Sequence, residues 1–222
     1  MTAAEEPGPQ RSPGSQDPEG PRGDHAGLEE LSEALGGKTG IAESSLPAGA
    51  FAVAYAASGS ELELSAGIAL GVGGVLTLLR LHRRETLQYA LAGLFGVALA
   101  AFVATRTGRA EDFYLPGLLL NAGYAAGYAI SIAVRYPLIG VLLGAVSGEG
   151  LKWRKDPHRV RAYSRASWIF VAVFSLRLAV QLPLYLAGEV VVLGVARVAM
   201  GLPLFVAGLW LCYLSLRRDR VL

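Results

Sequence analysis

The chain has 222 residues, 53% of them hydrophobic and only 17% charged, with a net charge of +2 and a mean hydropathy of +0.42. Soluble domains carry about 25% charge, so the composition argues against a water-soluble enzyme and for a chain dissolved largely in lipid. A single cysteine, Cys212, excludes an intrachain disulfide and a cysteine metal cluster.

The first segment, MTAAEEPGPQRSPGSQDPEGPRGDHAG, is rich in Pro, Gly, Ser and acids and has little to bury, so residues 1–35 are expected to form a disordered acidic tail. Through Glu33 it holds eight acids and two arginines, which leaves the tail near −6 and the rest near +8. It has neither the basic start nor the apolar run of a cleavable signal peptide. Leu28, Leu31 and Leu35 fall on one face of a two-turn helix that Gly36-Gly37 would stop.

Residues 36–216 read as an all-α, polytopic transmembrane bundle. About twenty apolar residues cross a roughly 30 Å hydrocarbon core as a helix. Six spans are expected, at about 46–58, 62–81, 87–104, 113–134, 166–187 and 190–214. The first is short, and Gly201 and Pro203 should bend the last. PLIGVLLGAV, 137–146, is too short to cross and is expected to lie at the interface or to re-enter. Many glycines sit inside the apolar runs, among them Gly73, Gly93, Gly96 and Gly123, as close helix approach in lipid requires.

Charge sets the orientation. RLHRR at 80–84, the stretch 147–165 and the C-terminus 217–222 are basic. They alternate with weakly charged or acidic gaps at 59–63, 105–112 and 188–189. With six spans, all basic segments and both termini fall in the cytoplasm of a bacterial plasma membrane; with five, the tail is outside. The pattern R-x-x-L-x-x-x-L-x-G occurs at Arg84–Gly93 and again at Arg135–Gly144. Either a two-helix unit was duplicated, or Leu/Gly-rich helices match by chance.

Arg177 lies mid-span, where an arginine costs about 3 kcal/mol on insertion scales, and Arg197 sits about seven residues into the last span. Glu111, Asp112, Glu189, Asn121 and Gln181 are their expected acceptors. Arg177, Arg197, Gln181, Asn121 and Asp112 are therefore a candidate polar cluster. It would be either a cleft for an anion or lipid headgroup, or a network that pins helices together. Arg80, Arg83, Arg84, Lys152, Arg154, Lys155, Arg159 and Arg161 are candidate contacts for anionic lipid headgroups at the cytoplasmic face, each attracted by roughly 1 kcal/mol. The aromatic residues near span ends, including Tyr114 and Trp153, read mostly as interface anchors, and Tyr124 and Tyr128 as packing residues.

The three histidines, His25, His82 and His158, lie in the tail and in two basic segments, and no HExxH, GxSxG, P-loop or CxxC motif occurs. No catalytic, cofactor-binding or metal residues are therefore assigned, and the chain is not expected to be an enzyme. The basic stretch carries no helix-turn-helix or zinc pattern, so no nucleic acid is expected.

LGGKTGIAESSLPAGAF (35–51), RTGRAEDFYLPGLLLNAGYA (106–125), RYPLIGVLLG (135–144) and RLAVQLPLYLAG (177–188) together resemble the actinobacterial membrane family DUF3159 over about residues 32–216. That family in turn resembles, more faintly, the intracellular septation protein A family, through R-x-P-L-I at 135–139. The second resemblance implies a non-enzymatic part in cell-envelope synthesis or division. Other membrane or division proteins, or a second copy, would then be further partners. The runner-up is a transporter or channel for a small anionic solute passing Arg177.

Overall fold

The structure is a computed structural model that describes residues 45–83, 87–219 and 221, all within one compact unit, Lys38–Leu222. The expected acidic tail and Arg84 lie outside the described residues. Among those residues the fold is entirely helical. It comprises α1 (Leu46–Ala57), α2 (Leu62–His82), α3 (Leu87–Thr107), α4 (Leu115–Ala133), α5 (Leu138–Val146), α6 (Pro157–Leu186), α7 (Val190–Ala199) and α8 (Leu202–Arg218). Two 3-10 turns, Ala110–Tyr114 and Lys152–Lys155, precede α4 and α6.

Five stretches are long and apolar enough to cross a membrane: Leu62–His82, Ala90–Thr107, Ala110–Ala133, Pro157–Leu186 and Val190–Arg218. At most 28% of any of these windows is buried inside the protein. The outward faces are apolar instead: Leu78, Phe95 and Leu186 are about 70% exposed. A protein in water buries such residues; one in lipid need not. The chain is a helical membrane protein.

The first expected span is corrected by its length. Pro47 occupies the first turn of α1, and the helix stops at Ser58 before Gly59, whose φ is +73°. Its twelve residues rise about 18 Å, short of a roughly 30 Å core. The fifth span is longer than expected. Asp156 caps α6 by accepting from the His158 backbone N–H at 2.8 Å, and Pro157 opens the helix. The basic stretch 147–165 is thus not one loop: its last nine residues are the first turns of α6. The sixth span is broken rather than bent, with α7 ending at Ala199 and α8 starting at Leu202.

Two aromatic cores organise the bundle. In one, Phe51 of α1 stacks on Phe113 at 4.0 Å, and both pack with Tyr114, Ala66, Ala104 and Leu193. This core gathers the start of α2, the end of α3, the end of α6 and the start of α7. In the other, Trp153 meets Tyr163 edge-on at 5.2 Å, beside Ile139, Phe170, Cys212 and Leu216. It gathers α5, the start of α6 and the end of α8. Trp153 and Tyr114 are each 1% exposed, so they are core residues and not interface anchors. Tyr128 stacks on Phe170 at 5.3 Å as a packing residue should, whereas Tyr124, 5.2 Å from Phe174, is 53% exposed.

The two cores mark opposite ends. Glu61, Glu63, Glu111, Asp112 and Glu189 lie at the first, with Arg106 and Arg109. Arg80, Arg83, Arg135, Lys152, Arg154, Lys155, Arg159, Arg161, Arg165, Arg217 and Arg218 lie at the second, with Glu149, Asp156 and Asp219. The described residues of the three basic segments thus share one end. We expect single cysteines, in a Cys212→Ala background, to label from one membrane face at Ser58, Thr107 and Ala187. At His82, Ser147 and Arg218 they should label from the other; mixed labelling within either set contradicts this arrangement.

Candidate functional site

Three helix termini meet at half depth. From Val190 to Gly201 the chain rises about 16 Å, half of a roughly 30 Å core. There α7 stops, α8 starts, and α1 begins beside them: a Cβ on Gly201 would lie 2.9 Å from Ser45 Oγ. α1 runs back along α7, and a Cβ on Gly194 would come within 2.4 Å of Ala52 Cβ. The Tyr114 hydroxyl donates to the Ala48 carbonyl at 3.3 Å and fixes α1 to the 3-10 turn.

Arg177 ties α6 to this junction. Its Nη2 donates to the Gly201 carbonyl at 2.5 Å. The same carbonyl accepts from the Phe205 N–H at 3.3 Å. The acceptor of Arg177 is therefore the backbone carbonyl at the start of α8, which also accepts the first hydrogen bond of that helix, and not one of the expected side chains. Among the described residues its buried Nε has no hydrogen-bond partner, and neither does Oε1 of Gln181, one turn along the same helix and 2% exposed. One turn further, the Tyr185 hydroxyl donates to Asp112 at 2.5 Å, with Asp112 4% exposed. Arg177, Gln181 and Tyr185 thus form a polar ladder on one face of α6. Glu111 is taken by Arg109 at 2.8 Å, and this hydrogen bond and charge raise the Arg109 pKa above its ordinary value.

Arg197 is placed differently. It sits in the last turn of α7, with its guanidinium against Gly117 of α4 and 5.9 Å from the centre of the Tyr114 ring. A Cβ on residue 117 would be 2.0 Å from Nη1, so only glycine leaves room for this side chain as it stands. Among the described residues Arg197 has no carboxylate or hydrogen-bond partner. It lines an open cleft of about 960 Å³ between the α2–α3 hairpin and α4. The walls are almost wholly apolar, from Ala90 to Val103 on α3 and from Phe113 to Tyr124 on α4, with Arg80 near the basic end.

Of the five residues expected to share one cleft, the structure unites Arg177, Gln181 and, through Tyr185, Asp112. Arg197 alone of the five lines the cleft, and Asn121 is partly exposed on α4, with no hydrogen bond among the described residues. Sequence reasoning missed Tyr185 and Gly117. The signal for Gly117 was present in Leu115-Pro116-Gly117, a glycine just inside a proline-started helix, where its cost needs a close approach to offset it.

At the basic end, Lys152 and Lys155 are exposed. Arg154 reaches Tyr136, Arg159 pairs with Glu149 at 2.7 Å, and Arg161 donates to the Pro157 carbonyl at 3.2 Å. Arg83 caps the end of α2. No group of three His, Cys, Asp or Glu side chains suited to a metal ion occurs among the described residues.

Crossing helices with an apolar exterior, half-depth helix ends and half-buried arginines define a polytopic integral membrane protein. The chain belongs to the DUF3159 family, described as proteins of unknown function, whose sequence model matches residues 35–221. Neither curated proteins nor solved structures give a match.

The Tyr185–Asp112 bond joins the end of α6 to the start of α4. We expect Tyr185→Phe and Asp112→Asn each to destabilise the detergent-solubilised protein by about 1.5–3 kcal/mol, the usual worth of a hydrogen bond to a charged group. The double variant should lose much less than the sum, as read by a double-mutant cycle.

Proposed function

We propose that this protein is a binding protein of the membrane rather than an enzyme. It takes an anion-bearing, chain-like amphiphile from the lipid phase into the cleft between the α2–α3 hairpin and α4. The observation that carries the reading is Arg197. The residue is half-buried, its guanidinium meets an aromatic face instead of a carboxylate among the described residues, and it lines a cavity whose other walls are mostly hydrocarbon. A buried charge without a partner is costly, and an anionic headgroup would compensate it. The apolar walls suit the attached chain: Ala90 to Val103 on α3 spans about 20 Å. Arg177 acts here as a positioning residue that holds the α7–α8 junction and, through it, Arg197.

This reading develops the anion-handling role expected from the deep arginines. The envelope or division role rests on the distant resemblance to septation proteins. It would be served by the same binding, with the basic end facing the cytoplasm as the positive-inside rule asks.

The experiment is photo-crosslinking of a diazirine-labelled palmitate to the full chain in nanodiscs. Labelling should fall on peptides 90–103 and 115–124 and be competed by palmitate but not by methyl palmitate. Arg197→Gln should reduce it about tenfold, the worth of a charge-assisted pair, while Arg197→Lys retains a good part. Unchanged labelling in a folded Arg197→Gln variant, or equal competition by the uncharged ester, overturns the proposal.

A further inference from the structure

A second cavity, of about 600 Å³, opens at the basic end and is lined by Arg135, Arg154, Pro157, Val160, Arg161 and Ser164. Its three guanidinium-bearing residues come from three separate elements: the turn after α4, the 3-10 turn Lys152–Lys155, and the second turn of α6. No acid lines it. The described acids nearby are engaged elsewhere. Glu149 pairs with Arg159 at 2.7 Å, Asp219 with Arg165 at 2.8 Å, and Asp156 caps the His158 N–H at 2.8 Å. The cavity is therefore a concentration of positive charge that the described residues do not neutralise.

Two further features show that the cluster is built. Arg154 is oriented by Tyr136: Nη1 donates to the phenol oxygen, and the guanidinium carbon lies 3.5 Å from the ring centre. Arg135 occupies the position after a helix end that most often takes glycine, with φ +58°. An arginine there accepts backbone strain that glycine would remove. Strain retained at such a place points to a use for the side chain.

We propose that Arg135, Arg154 and Arg161, with the Ser164 hydroxyl, form a binding site for a phosphate-bearing group, separate from the Arg197 cleft. Guanidinium forks match phosphate oxygens in pairs, and three of them around one cavity suit a single phosphoryl group. The phosphate comes from a lipid headgroup at the membrane surface or from a soluble phosphate compound.

Native mass spectrometry and thermal unfolding of the full chain in detergent, with defined additions, test the site. Wild type should retain phosphatidylglycerol over phosphatidylcholine, and Arg135→Gly should weaken that retention about tenfold. Because glycine relieves the strained turn, Arg135→Gly should unfold at the same temperature as wild type or higher, which separates lost binding from lost folding. Arg161→Gln should lose binding in the same way, and Arg197→Gln should not. If millimolar inorganic phosphate alone stabilises wild type but not Arg135→Gly, with no lipid preference, the site stands and its ligand is soluble. If Arg135→Gly and Arg161→Gln keep the wild-type preference, or neither probe binds, the proposal fails.

Discussion

Within hydrocarbon no water replaces a lost backbone hydrogen bond, so an interrupted helix must be repaired by the protein itself. The break at Met200–Gly201 is the place where this constraint falls hardest. Pro203 has no N–H to give, and the first turn of α8 and the last of α7 leave donors and acceptors without helical partners. Arg177 supplies a charged donor to the Gly201 carbonyl. That bond gives an arginine at half depth an internal acceptor and ties α6 to the start of α8, whose first helical hydrogen bond the same carbonyl already accepts. It also holds α7 as a separate half-helix against which α1 can lie. An internal acceptor is what makes the position of Arg177 affordable.

The cleft follows from how the two cores are spaced. One clamps α1, the ends of the α2–α3 hairpin and the start of α7; the other clamps α5, α6 and α8. Neither contains a residue from the second half of α2 or the first half of α3. There the hairpin is held to itself, by Thr77 donating to the Gly73 and Ala90 carbonyls at 2.8 and 3.4 Å. Lipid tails drive helices together no more than leucine side chains do. A pair of helices without small-residue or polar contacts to its neighbour stands apart, and α3 and α4 part in this way.

Much of this was legible in the sequence. Apolar length gave six spans, five of which are long enough to cross, and the alternation of basic and acidic gaps gave a charge-segregated molecule that the packing reproduces. The misses have local causes. Asp156-Pro157 is a helix-start signature, but the arginines and lysines around it read as a loop because charge, not capping, was weighed. Trp153 read as an anchor because it sits among cations, whereas Gly140 and Gly144 leave a flat face on α5 that the indole covers. Gly201 and Pro203 announced a distortion, but whether a helix bends or stops depends on what packs at the break, and Arg177, which meets it, is distant in sequence. The five polar residues were grouped by depth alone. Depth says nothing of azimuth, and azimuth separates Arg197 and Asn121 from the ladder on α6.

The thirty residues of α6 reach about 45 Å, half as long again as the lipid core they cross. The surplus stands at the basic end, so Arg159, Arg161 and Arg165 are mounted on a stiff mast and not on a loose tether. Arg161 and Arg177 belong to the same helix, about 24 Å apart along its axis. One continuous helix thus carries both the cations of the headgroup layer and the guanidinium that clasps the Gly201 carbonyl in the bilayer's interior.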